Sequence, residues 1–231
     1  MKPLLAALSA IILIATPALA KVSDKTAEIA GMTVHYKIAL PGNYDPAKTY
    51  PAILAFPPGS QDMDMVLTTL VQNWLPEYDK RGYIVVIPAA PSGRSFVSEG
   101  AKIFPEFLEQ LLHEYKIRDN KFHAAGMSNG GRSAFHIAAM YPQYFWSVTG
   151  FPGYLPDPTA ERVAALAGMC IYMHVGELDS GWVAEMQQQA SIFRAKGYKV
   201  SFTTEKNEGH VMRTLAGPAS ARLFNQIEGC H

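Results

Sequence analysis

The chain has 231 residues, 48% hydrophobic and 17% charged, which suits a single globular core of the α/β size class. Its 20 basic and 20 acidic side chains cancel to a formal charge of zero. With no basic stripe, acidic block, repeat or low-complexity run, it lacks the sequence marks of a nucleic-acid-binding or disordered protein.

The N-terminus reads as a leader. Lys2 precedes an apolar run from Leu4 to Ala15, and Ala18-Leu19-Ala20 places small residues before a cleavage point after Ala20. The competing reading is an uncleaved membrane anchor. Pro17 and the small residues favour cleavage, so residues 1–20 are expected to be a signal peptide and 21–231 a single exported domain, periplasmic or secreted. No stable membrane span is expected after cleavage. In an oxidising compartment Cys170 and Cys230 can pair, or stay as a buried thiol and a loose tail residue; the sequence leaves both open.

Taken in order, Met32 to Leu40 alternates like an edge strand, and Pro51 to Phe56 is a continuous apolar run suited to a buried parallel strand. Met65 to Tyr78 carries apolar residues at helical spacing. Tyr83 to Ile87 reads as a strand, Phe104 to Tyr115 as a helix and Lys121 to Gly126 as a strand. Arg132 to Met140 reads as a helix, Ser147 to Phe151 as a strand and Ala160 to Leu166 as a short helix. Cys170 to Val175 is a strand, Trp182 to Lys196 a helix, Lys199 to Thr204 the last strand, and Arg213 to Glu228 a closing helix. This alternation predicts an α/β fold, a mostly parallel sheet with helices on both faces and no separate lid domain.

Between the strand ending at Gly126 and the following helix lies Gly126-Met127-Ser128-Asn129-Gly130, the Gly-x-Ser-x-Gly pattern of a nucleophile elbow. A serine hydroxyl needs a base to take its proton, and the base needs an acid to orient it. In an open parallel sheet, site residues collect beyond the carboxyl ends of the strands. Asp179 follows the Cys170–Val175 strand and His210 follows Lys199–Thr204, in the order Ser, acid, His. Glu177 rivals Asp179. Asp179 is preferred, because a three-residue loop lets its carboxylate turn back to the sheet edge. His123 and His174 fall inside strands and read as core residues. No histidine spacing suggests a metal site.

These residues resemble the α/β-hydrolase superfamily, and within it the small secreted esterases related to polyhydroxybutyrate depolymerases and feruloyl esterases. The resemblance runs from about Tyr50 to the C-terminus and rests on Gly126-Met127-Ser128-Asn129-Gly130-Gly131, Gly176-x-x-Asp179 and Gly209-His210. The Gly-x-Ser-Asn-Gly-Gly run also resembles prolyl-oligopeptidase catalytic domains, whose propeller has no counterpart here. The resemblance implies cofactor-free hydrolysis of a small-molecule or polymeric ester through an acyl-serine. Ser128 is then the nucleophile, His210 the general base and Asp179 its orienter. A peptidase or acyltransferase on the same residues, or a non-catalytic binding protein, are the alternatives.

One departure stands out. Esterases of this kind usually carry His-Gly after the strand corresponding to Pro51–Phe56, where this chain reads Pro57-Pro58-Gly59-Ser60. Proline has no N–H to donate. Backbone donors to an oxyanion are therefore expected from Asn129 and from Gly59 or Ser60. By position alone, Phe56, Tyr154, Trp182 and Met212 are candidates to line a substrate pocket. Arg94, on a loop at the same sheet edge, could meet an anionic substrate, but a solvated arginine is the favoured reading.

Overall fold

The computed structural model describes residues 21–231; the expected leader, 1–20, lies outside the described residues. Eight strands form one sheet in the order β1-β2-β4-β3-β5-β6-β7-β8. In chain order they are β1 (Lys21–Ile29), β2 (Met32–Leu40), β3 (Tyr50–Phe56), β4 (Ile84–Pro88), β5 (Ile117–Gly126), β6 (Phe145–Gly150), β7 (Cys170–Gly176) and β8 (Lys199–Glu205). β1 pairs antiparallel with β2, and β2 antiparallel with β4, while every pair from β4 to β8 is parallel. The sheet is thus mostly parallel, as its alternating sequence predicts.

Period-2 side-chain alternation divides the core by face. Ala52, Leu54 and Phe56 of β3 join one cluster, with Phe107 and Leu111 of α3 (Phe104–Glu114), Phe135 and Ile137 of α4 (Asn129–Met140), and Met186 and Phe193 of α6 (Ser180–Ala195). Ile53 and Ala55 join the other, with Val66 of α1 (Met63–Thr69), Trp74, and Leu223 and Phe224 of α7 (Ala221–Ile227). The two remaining helices, α2 (Tyr78–Arg81) and α5 (Ala160–Ala165), are short.

Three expectations need correcting. Met32–Leu40 is not the edge strand, because β1 covers it; β1 is mostly solvated and polar, so it shows no apolar alternation. The helix expected over Met65–Tyr78 breaks up. α1 passes into a π-turn, Leu70–Trp74, where Leu75 N–H reaches back five residues to Leu70 C=O, and Pro76 follows. The closing helix is only α7, because Gly217 at φ 55° and Pro218 confine Arg213–Ser220 to two 3₁₀ turns.

Cys170 and Cys230 form a disulfide that ties the C-terminal tail to β7. His123 and His174 are buried in strands. His123 bonds Ser147 Oγ at 2.8 Å, and His174 bonds Glu205 at 3.2 Å and Gln226 at 2.8 Å. Among the described residues no helix is long and apolar enough to cross a membrane.

Candidate active site

The turn from β5 into α4 places Ser128 at φ 59°, ψ −121°, a conformation L-residues rarely adopt. Close backbone approach requires the neighbouring glycines. A Cβ on Gly126 would lie 2.3 Å from Gly130 O, one on Gly130 2.1 Å from Phe56 O, and one on Gly131 2.2 Å from Pro152 O. Ser128 N–H donates to Pro152 C=O at 2.7 Å. The elbow is therefore clamped between the loops that follow β3 and β6.

Asp179, in the loop after β7, and His210, in the loop after β8, converge on this serine. His210 Nδ1 lies 2.6 Å from Asp179 Oδ2, and Nε2 lies 2.8 Å from Ser128 Oγ. A carboxylate only accepts, so Nδ1 carries the proton towards Asp179 and Nε2 is free to accept from the serine hydroxyl. Glu177 is used elsewhere, accepting from Asn207 N–H at 2.9 Å.

Asn129 begins α4, and among the described residues its amide N–H has no acceptor. The loop after β3 is a turn closed by Gln61 N–H to Pro58 C=O at 3.0 Å, with Gly59 (φ 59°) and Ser60 at its centre. Asn129 Nδ2 donates to Gly59 C=O at 3.0 Å and holds this turn beside the elbow. Gln61, which the sequence reading passed over, is 2% exposed. Its Nε2 reaches Pro57 C=O at 3.1 Å and Ser133 Oγ at 3.0 Å, tying the turn to α4.

The four pocket candidates separate. Phe56 is wholly buried, packed edge-on to Phe96, and Met212 is 3% exposed within the other core face; neither offers surface to a ligand, so both readings are corrected. Tyr154 and Trp182 touch each other near His210. Their rings are 5.0 Å apart, and Trp182 stands 5.1 Å from the His210 ring. Leu178 and Val211, 70% and 55% exposed, adjoin Asp179 and His210 in the chain, and the Arg132 guanidinium lies 5.6 Å from the Tyr154 ring centroid; sequence position singled out none of the three. Arg94 is exposed, with Nη1 facing Met32 Sδ. A groove of about 720 Å³ lies elsewhere, between the C-terminal half of α4 and α5, and includes none of the three converging residues.

No protein-family profile matches this sequence, and no curated protein does. Solved structures do match in shape. An S-formylglutathione hydrolase from Agrobacterium tumefaciens aligns with TM-score 0.68 at 14% identity over 94% of this chain and 97% of its own. A dienelactone hydrolase from Anabaena variabilis aligns with TM-score 0.70 at 13% identity over 91% and 98%. A thermostable esterase aligns with TM-score 0.67 at 18% identity over 88% of this chain, which spans only 59% of that one. At such identities the likeness establishes the fold, which is the α/β-hydrolase fold.

Proposed function

We propose, from an α/β-hydrolase fold with a hydrogen-bonded serine, histidine and aspartate at its elbow, that this protein is an exported serine hydrolase of carboxylic esters. The observation that carries the reading is the pair of contacts made by His210, 2.6 Å to Asp179 and 2.8 Å to Ser128. In the proposed reaction Ser128 Oγ attacks the ester carbonyl carbon while its proton passes to His210 Nε2. The tetrahedral intermediate collapses, and the C–O bond to the alcohol breaks. His210 returns the proton to the leaving alkoxide. Water, deprotonated by the same nitrogen, then attacks the acyl-serine; the acid is released and Ser128 regains its hydrogen. Asp179 holds the tautomer and stabilises the imidazolium.

The developing oxyanion would take the Asn129 N–H and a second donor from the loop after β3. A trans peptide points its C=O and the following N–H in opposite directions. Since Gly59 C=O is turned towards the Asn129 side chain, the Ser60 N–H is turned away from it. This favours the Gly59 N–H as the second donor. The exposed Leu178 and Val211 beside Asp179 and His210 suit an ester with an apolar portion. Export agrees with the Cys170–Cys230 disulfide, a bond that persists in oxidising compartments.

Purified 21–231 should hydrolyse a short 4-nitrophenyl ester, and Ser128→Ala should abolish it. An organophosphonate should label Ser128, as located by peptide mass spectrometry. Label on a different serine, or full activity in Ser128→Ala, would overturn the assignment.

A further inference from the structure

Arg132 is the unexplained charge of this site. Among the described residues it makes no salt bridge and no side-chain hydrogen bond, and its Nε is buried without a partner. The one described interaction of its guanidinium is with the Tyr154 ring, at 5.6 Å. Arg132 as a whole is half-buried, and burying even one guanidinium N–H without an acceptor costs free energy, so such a group usually has a carboxylate or carbonyl beside it.

Its position is fixed by the elbow. Arg132 is four residues beyond Ser128, and its N–H donates to Ser128 C=O at 3.0 Å. Ser128 stands just before the first helical residue at φ 59°, so it is not on a face of α4, but helical side chains lean towards the N-terminus. Arg132, in the first turn of α4, therefore leans towards the end of the helix that carries the serine. The Pro152-Gly153-Tyr154 loop is pressed onto the same turn, since a Cβ on Gly131 would come within 2.6 Å of Gly153 Cα. That contact places Tyr154 under the guanidinium. Tyr154 meets Trp182 at 5.0 Å and Trp182 meets His210 at 5.1 Å, so an aromatic arc runs from the cation to the imidazole.

We infer that Arg132, set on the Tyr154–Trp182 shelf, is the anion subsite of the active site, and that the substrate is an ester bearing a carboxylate a short chain from the scissile bond. This rests on the hydrolase reading above. Guanidinium is suited to the task because its planar fork meets both oxygens of a carboxylate, and the Tyr154 ring, 5.6 Å from it, gives it an aromatic neighbour without taking up its donors. The apolar Leu178 and Val211 lie on the acid and histidine loops and suit the uncharged remainder of the same ligand.

The test compares mono-4-nitrophenyl adipate, glutarate and succinate with their methyl-capped neutral counterparts, each corrected for its uncatalysed rate. The wild-type enzyme should show kcat/KM about ten-fold or more higher for at least one anionic ester than for its neutral twin. That ratio should shrink as sodium chloride is raised, because the contact is partly solvated. In Arg132→Met the ratio should fall to near one, and Arg132→Lys should restore part of it. Equal rates for both esters in the wild type, or an unchanged ratio in Arg132→Met, would overturn the subsite. The salt series needs no variant, so misfolding of Arg132→Met leaves the inference testable. Hydrolysis of the neutral esters that disappears in Ser128→Ala separates the two readings: if it is present without an anionic preference, only the subsite fails, and if it is absent, both fail.

Discussion

Gly176, the last residue of β7, touches Gly209, the residue before His210: a Cβ on Gly176 would lie 2.1 Å from the Gly209 carbonyl oxygen. Two hydrogen bonds reinforce the contact, Glu177 N–H to Glu205 C=O and Leu178 N–H to Glu208 C=O, both 2.9 Å. The loops carrying Asp179 and His210 are thus held at a spacing that only a bare backbone permits. Gly176→Ala should push them apart, and a displacement of about 1 Å at a reacting group costs about 10²-fold in rate. Steady-state kinetics on a short ester should show that loss while the far-ultraviolet circular dichroism stays that of the wild type.

Asp179→Asn should lower kcat by about 10⁴, because the imidazole would then be held in the wrong tautomer. Glu177→Gln should lose far less, since Glu177 bonds the Asn207 backbone rather than His210. The reverse ranking would move the acid to Glu177.

Asn129→Ala keeps the backbone N–H at the elbow but removes the 3.0 Å tether to Gly59 C=O. The proposed second donor would then be less well placed. A full donor is worth about 10²–10³ in kcat, so a loosened one should cost about ten-fold, read in kcat more than in KM. An unchanged kcat would remove the Gly59 turn from the mechanism. Gly59→Pro is a poorer probe, because Gly59 sits at φ 59° and proline is confined near −65°.

Stability should fall with acid in two stages. Burial, then the Arg118 charge, pushes His123 down to about 4 from 6.5, and burial with Arg162 does the same for His136. Both are neutral in the folded state above that value. The unfolded chain takes up these protons first, so stability should decline as pH falls from 6.5 towards 4, by at most about 3 kcal/mol per histidine. Glu205 acts lower. The His174 hydrogen bond, then those of Arg222 and Thr214, outweigh its burial and hold it down to about 2 from 4.5. Its stabilisation is present above 4.5 and is lost as pH falls through about 2. Urea unfolding across this range should show a slope beginning near pH 6.5, and His136→Gln should flatten it.

The Cys170–Cys230 bridge joins residues 60 apart. A loop of that length is worth about 4 kcal/mol by the chain-entropy model. Reduction should therefore lower Tm by roughly 10 °C for a domain of this size. A Tm insensitive to reductant would show that the tail contributes nothing to the folded state.

Much of this protein was legible in the sequence because it is set by local pattern. Apolar runs of five to seven residues alternating with helical periodicity dictated a parallel sheet covered on both faces. The Gly-x-Ser-x-Gly turn singled out Ser128 for the proposed site, and chain order put Asp179 and His210 within its reach, since a parallel sheet delivers every strand's following loop to one edge. What escaped depends on contacts between segments distant in sequence. β1 carries no apolar signal, because pairing with β2 rather than burial holds it. The expected helices at Met65–Tyr78 and Arg213–Glu228 have helical spacing, yet a π-turn breaks up the first and Gly217-Pro218 delays the start of the second to Ala221. Phe56 looked like a site residue by position, but pleating turns it into the core against Phe96 and Phe104. Cys170 and Cys230 read equally well paired or free, and only the fold brings the tail to β7. Arg132, Tyr154 and Trp182 lie on three different segments, so no local rule relates them. Their grouping follows from the packing of the Gly153 loop against Gly131, a contact between two backbones that leaves no trace in periodicity.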